Sequence, residues 1–346
     1  MTFATLVVVV GVGGWSYGGY LTASGDAPVT VRTVDWARDH GFSSIVADIE
    51  QWWYTHHKPT GTRPHSFDIP PATRVLASQV TASAPGARWV AVEGLAAPTE
   101  TVQETFVQPD RRYRSVAVSL VRIDQRSTRL VLVAGTKDPG GRGWPWMGGV
   151  PIAARSKLIA AFNAGFQFRD TPGGFYTMGR TGPHPLTNGI ASVVIYKDGH
   201  ADVAQWGRDA MMTADVVSVR QNLALIVDHG VSVGGLQSNG NGRWGTKKSQ
   251  FQYTWRSGLG VTADGRLIYA VGRQMSLNDL AAALVDGGAV RAMELDMHGI
   301  VNFNWFRPDH QSPTRTRGSK LVRTMPRDAT RFLGPDQRDF FALLAK

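Results

Sequence analysis

Leu259-Gly260-Val261-Thr262-Ala263-Asp264-Gly265-Arg266-Leu267-Ile268-Tyr269-Ala270-Val271 is the stretch that decides the fold class. Two runs rich in β-branched and aromatic residues flank an Asp-Gly step, the pairing that a tight hairpin turn favours. The arrangement recurs. Ser192–Tyr196 and Ala201–Trp206 flank Lys197-Asp198-Gly199-His200, and Leu223–Val227 and Val231–Val233 flank Asp228-His229-Gly230. A fourth pair of runs, Val116–Ile123 and Thr128–Ala134, is joined by Asp124-Gln125-Arg126-Ser127. Four hairpins predict a sheet-dominated core.

Helices are fewer. Ser276-Leu277-Asn278-Asp279 has capping-box spacing, Leu277, Leu280, Ala281 and Leu284 share a face, and Gly287-Gly288 ends the run. Thr30–His40 reads as a second helix, with Gly41 placed for its left-handed end. Ser44–Tyr54 reads equally as strand or helix, and residues 55–110, broken by Pro59, Pro64, Pro70 and Pro71, read as a connecting region. The expected class is α+β: a hairpin-rich mixed β-sheet core with packed helices, preceded by an N-terminal membrane anchor. The expected division is 1–25 signal anchor or signal segment, 26–100 membrane-proximal region, and 101–346 main domain.

The chain of 346 residues is 42% hydrophobic and only 18% charged, with 39 Gly and 18 Pro, so it is globular and loop-rich rather than disordered. It has no cysteine, which excludes disulfides, thiolate zinc sites and cysteine nucleophiles. The net charge of +10 favours anionic partners. The excess at Arg315, Arg317, Lys320, Arg323, Arg327 and Arg331 reads as a solvated surface. Without helix-turn-helix spacing or interleaved aromatic and basic residues, nucleic acid is not an expected partner. No charge precedes Asp26, Phe3–Val10 is continuously apolar, and Trp15, Tyr17 and Tyr20 suit a bilayer interface. These features predict a single N-terminal span in the cell membrane with an extracytoplasmic domain, or a cleaved export signal. The glycines after Val10-Gly11-Val12-Gly13-Gly14 are misplaced for a dinucleotide fingerprint. His56, His57 and His65 lack a carboxylate at matching spacing and read as loop residues rather than a metal cluster.

The segment Val290-Arg291-Ala292-Met293-Glu294-Leu295-Asp296-Met297-His298-Gly299 carries the chemistry. Strand alternation would put Glu294, Asp296 and His298 on one face of an otherwise apolar strand, where charges are costly without partners or a task. Spaced two apart, the three do not readily converge on one ion, so no divalent metal or other cofactor is expected.

Other motifs surround this strand in a particular order. Leu158-Ile159-Ala160-Ala161-Phe162-Asn163-Ala164-Gly165-Phe166 comes first, then Met178-Gly179-Arg180, Pro185-Leu186, Asn188-Gly189 and Lys197-Asp198-Gly199. Arg256–Gly265 opens a hairpin, and Leu280–Asp296 supplies a helix and a strand ending in Leu-Asp. The ordered set, over roughly residues 110–306, resembles the phosphodiester glycosidase family. It departs from the family pattern at Ala164, where a glycine is usual, and at Met297-His298-Gly299, where a glycine-rich turn is usual.

The resemblance implies an extracytoplasmic hydrolase that cleaves the glycosidic C–O bond of a sugar-1-phosphodiester in an envelope or secreted glycan. That reaction expels a phosphomonoester, already a weak base. Its main needs are donors around phosphate, a carboxylate near the oxocarbenium-like carbon, and a base for water. Asp296 is the expected carboxylate, and Glu294 the base or sugar-orienting group. Arg256 and Arg180 are candidate phosphate clamps, with Asn163, Asn188 and His298 as further substrate contacts. Arg256 could equally pair with Asp296 and tie two strands together, and Asn163 could simply shape its turn. Two other classes stay open at this point: a non-catalytic envelope-glycan-binding module and a metal-dependent phosphodiesterase.

Overall fold

The computed structural model describes residues 14–23, 27–73, 88–239, 242–245, 252–309 and 316–346. Eight strands form one sheet in the order β1 (Val90–Ala91), β2 (Val102–Val107), β3 (Val118–Ile123), β14 (Leu267–Met275), β13 (Thr254–Thr262), β15 (Ala289–Met297), β11 (Leu225–Asp228) and β12 (Val231–Ser232). A second sheet runs β17 (Thr316–Lys320), β16 (Phe303–Pro308), β5 (Leu158–Asn163), β18 (Phe340–Ala345), β4 (Thr128–Val133). A third runs β7 (Arg180–Thr181), β6 (Phe175–Thr177), β10 (Val216–Gln221), β8 (Ala191–Tyr196), β9 (Ala201–Gln205).

Every pairing between these described strands is antiparallel. The α+β class therefore holds, but one mixed sheet is corrected to three antiparallel ones. Short turns suffice for antiparallel neighbours, whereas parallel pairs need long crossovers.

Three of the four expected hairpins form: β8–β9, β11–β12 and β13–β14. His229 and Gly230 both take positive φ, 49° and 76°, as a two-residue hairpin turn demands. The fourth does not form, because β3 pairs with β2 and β14 while β4 pairs with β18. Asp124–Ser127 contains no glycine and no positive φ, so the chain opens there into a corner between two sheets. The Gln125 amide holds that corner, donating to the carbonyls of Ala201 (2.8 Å) and Gly265 (2.7 Å).

On one face of the eight-stranded sheet, Leu280 and Leu284 pack with Ile268, Ala270 and Ala292. Gly258 lies under the helix that carries them, where an added Cβ would sit 3.0 Å from Leu284 Cδ1. The Ser276–Asp279 capping box is present in both directions, with Asp279 N donating to Ser276 Oγ (3.2 Å) and Ser276 N to Asp279 Oδ2 (2.7 Å). The opposite face contributes Leu259, Tyr269, Met293 and Leu295 to a core shared with Phe162, Phe303 and Phe341 of the second sheet.

Two helices, α1 (Val29–Asp39) and α2 (Ser43–His56), form a hairpin about Gly41, and the capped helix above is α3 (Leu277–Asp286). The ambiguous stretch 44–54 is thus helical. The α1–α2 hairpin lies over the end of β15. A Cβ on Gly299 would be 3.1 Å from Val31, and Tyr54 stacks on His298 with ring centroids 5.4 Å apart. Asp39 fastens the hairpin by pairing with Lys137 (2.6 Å) and with Arg169.

Among the described residues no helix is long and apolar enough to cross a membrane. The apolar run Phe3–Val10 lies outside the described residues, while residues 14–22 are helical. The basic stretch near the C-terminus is not uniformly solvated as expected. Arg327 and Arg331 are buried, and Arg331 pairs with Asp336.

Candidate active site

The strand β15 does not keep its alternation. Arg256 stands opposite Met297, yet Gly258, two residues on, stands opposite Glu294, so β15 carries one extra residue there. A bulge of this kind redirects the side chains on either side of it. Glu294, Asp296 and His298 consequently have three separate sets of partners instead of one shared face.

Glu294 accepts from the Arg256 guanidinium in an ion pair with both side chains fully buried. Arg256 also donates to Met275 O and Gln252 O, each at 3.3 Å. Burial raises the Glu294 pKa, with Arg256 opposing the rise. The ion-pair partner of Arg256 is thus Glu294 rather than Asp296.

Asp296 faces a different environment. Its Oδ2 accepts from Arg338 (3.0 Å) and its Oδ1 from the Met297 N–H (2.8 Å). The same Arg338 Nη2 donates to Gly165 O (3.0 Å), and the guanidinium lies 3.4 Å from Asp138. Asp296 is 5% exposed, and burial pushes its pKa up to about 7 against the opposing pull of Arg338 and the Met297 amide. A carboxyl with that ionisation exchanges protons at neutral pH, as an acid–base group must. Replacing Arg338 by Gln removes the main cation that favours the carboxylate. Asp296 should then ionise at a pH above 7, as read from an NMR titration of the isotope-labelled carboxyl; an unchanged or lower value would contradict the pairing.

Asn163 ends β5 as a buried knot. Its Oδ1 accepts from Asn302 N (3.1 Å) and Tyr269 OH (3.3 Å), and its Nδ2 donates to Ser257 Oγ (2.9 Å). The Ser257 hydroxyl in turn donates to Asp296 O (3.2 Å) and accepts from Asp296 N (3.3 Å). Asn163 and Asp296 are therefore joined through one serine. The turn beyond Asn163 is packed against Arg220, which would lie 2.8 Å from a Cβ on Gly165, so only glycine fits. Arg220 donates to Asp339 (2.5 Å) and to Phe166 O (2.5 Å) and covers the Phe168 ring at 4.2 Å. Asn222 Nδ2 donates to Glu294 O (2.8 Å) and Leu295 O (2.9 Å), fixing the bulge from the other side.

His298 follows β15 with a left-handed φ of 65°. Its Nδ1 lies 3.1 Å from both Thr254 Oγ1 and Tyr54 OH. Burial, with Arg38 and Arg256 nearby, pushes its pKa down to about 3, so it stays neutral. The two remaining expected contacts have partners of their own. Arg180 is exposed on β7, donating to Arg142 O (2.7 Å) above Trp144. Asn188 is exposed in the turn before β8, against Gly207. Of the five residues expected in one cleft, Asn163 and Asp296 are linked through Ser257, Arg256 and Glu294 pair with each other, and Arg338 and Arg220 are cations that the sequence reading does not name. Among the described residues no three His, Asp or Glu side chains gather as a metal site.

Residues 156–296 match the model of the phosphodiester glycosidase family, and the match ends on Asp296. No curated protein matches the chain. Among solved structures it resembles the zebrafish N-acetylglucosamine-1-phosphodiester alpha-N-acetylglucosaminidase catalytic domain, auto-inhibited by its pro-peptide. The identity is 14%, with 84% of this chain and 95% of that one covered, at a TM-score of 0.45. A hypothetical protein from Synechocystis is 13% identical over 77% of this chain, with a TM-score of 0.44. The chain spans 65% of the length of that Synechocystis protein.

Proposed function

We propose that the chain is a hydrolase of sugar-1-phosphodiesters that breaks the glycosidic C–O bond. The observation that carries the reading is Asp296: a buried carboxyl held by Arg338 at the end of the phosphodiester glycosidase match, its pKa pushed up by burial to about 7. Ionised, it balances positive charge developing on the anomeric carbon, and its low-dielectric surroundings strengthen that effect. Arg338, which donates to Asp296, is the cation this reading sets against the leaving phosphate; Arg220 and Arg256 are both buried in ion pairs, with Asp339 and Glu294. The Asn163–Ser257 link holds the Asp296 backbone in place. Because Asp296 is 5% exposed, substrate reaches it only if a covering element shifts. The α1–α2 hairpin, fastened at its tip by the Asp39 ion pairs, is the element suited to do so.

The test is hydrolysis of a panel of sugar-1-phosphodiesters in water labelled with heavy oxygen. Label on the sugar is the expected result. Label on phosphate, with activity lost to a chelator, would instead mean a metal-dependent phosphodiesterase. Binding without turnover across the panel would leave a glycan-binding module.

A further inference from the structure

The inner side of α2 is used, since Glu50 accepts two hydrogen bonds from Arg38 (both 2.8 Å) and Tyr54 stacks on His298. Its outer side is largely open, Phe42 at its N-cap stacking on Trp36 of α1 with ring centroids 6.3 Å apart. Phe42, Ile45, Ile49, Trp52 and Trp53 are between 45% and 62% exposed. Spacings of three and four residues, followed by one, bring them onto one stripe of the helix, with His56 continuing it. Five large apolar side chains with two adjacent tryptophans are more than the scattered exposed residues normal for a protein surface.

The charge around the stripe selects its occupant. Between Asp39 and Asp68, which are themselves paired with Lys137 and Arg273, the chain has two carboxylates: Asp48, exposed on α2, and Glu50, held by Arg38. The same stretch carries Lys58 and Arg63, both exposed, and four histidines. The neighbouring segment adds exposed Arg111, Arg112 and Arg114, being tied to this region by Ser115 N donating to Thr60 O (3.0 Å). Exposed Arg323 lies 4.6 Å over Phe67. An apolar stripe with tryptophans, with exposed cations gathered in the segments beyond its C-terminal end, fits the headgroup boundary of an anionic bilayer. A second copy of this chain would set those cations against each other.

We infer that the outer face of α2 is a docking surface for an anionic lipid bilayer, distinct from any span formed by the apolar start of the chain. The experiment floats the full chain with vesicles of phosphatidylglycerol and phosphatidylcholine in equal parts, and with phosphatidylcholine alone. The chain should float more with the anionic vesicles, less so as salt is raised, with a blue shift in tryptophan emission. Replacing Trp52→Ser and Trp53→Ser together, with the first 25 residues untouched, should lower the partition coefficient about tenfold or more. Ile152→Ser, at an exposed apolar position elsewhere, should not change it, and circular dichroism checks that each variant folds. Three results overturn the inference: equal flotation of the double variant and the parent, no flotation of the parent, or a parent dimer by sedimentation equilibrium that the double variant loses.

Discussion

Asp296→Asn is expected to lower turnover by about three orders of magnitude while leaving the protein folded. The amide keeps the shape and hydrogen-bonding reach of the carboxyl but cannot carry the charge that the reaction requires. Its effect on stability follows from linkage. Asp296 has its pKa raised in the folded protein from 3.8 to about 7, so the folded state holds the proton more tightly than the unfolded chain. That residue therefore costs stability progressively as pH rises from about 4 through 7, and Asn removes the cost. The variant should unfold in urea near neutral pH no earlier than the parent. In the parent, activity should climb as pH rises through about 7 because the working form is ionised. A parent rate that instead falls across that range would assign Asp296 the role of acid, and turnover unchanged in Asp296→Asn would remove it from the mechanism.

Arg256→Met is expected to destabilise the fold by about 3–5 kcal/mol, the largest stability effect proposed for a single side chain in the molecule. The pair it breaks is fully buried, and the orphaned Glu294 is only 1% exposed to solvent. Glu294 already has one carboxylate oxygen, Oε2, without a hydrogen-bond partner among the described residues, so nothing nearby is poised to replace the guanidinium. Changing both residues, Arg256→Met with Glu294→Leu, should restore most of the loss, since the isolated charge is then gone too. Urea unfolding midpoints of the two single variants and the double variant decide the matter. A cost below about 1 kcal/mol for Arg256→Met would show that the pair is dispensable.

The elements most legible in sequence were those with strong local chemistry. The capping box at Ser276 and the glycine turns of β8–β9, β11–β12 and β13–β14 act within a few residues and were read correctly. The β3–β4 connection failed because Asp124–Ser127 lacks a left-handed residue, and nothing local reveals which sheet each strand will join. Motif order points to Asn163 and Asp296, which Ser257 joins, but their other partners come from far along the chain. Arg338 sits in Asp336-Gln337-Arg338-Asp339, which resembles an ordinary charged loop until β18 docks beside β5. Arg220 left a fainter sign, a lone cation inside the run Val216–Gln221. The bulge in β15 was invisible, because strand alternation assumes the very register that an extra residue breaks.

That extra residue has a consequence for how the protein can change. Glu294 and Asp296 are two positions apart, yet the charges that bear on Asp296 are Arg338, Asp339 and Arg220, while Glu294 answers to Arg256. The strand thereby insulates one carboxylate from the other. Substitutions that retune the proton affinity of Asp296 need not disturb the buried pair that ties β13 to β15. Reactivity and cohesion can drift independently along a single strand.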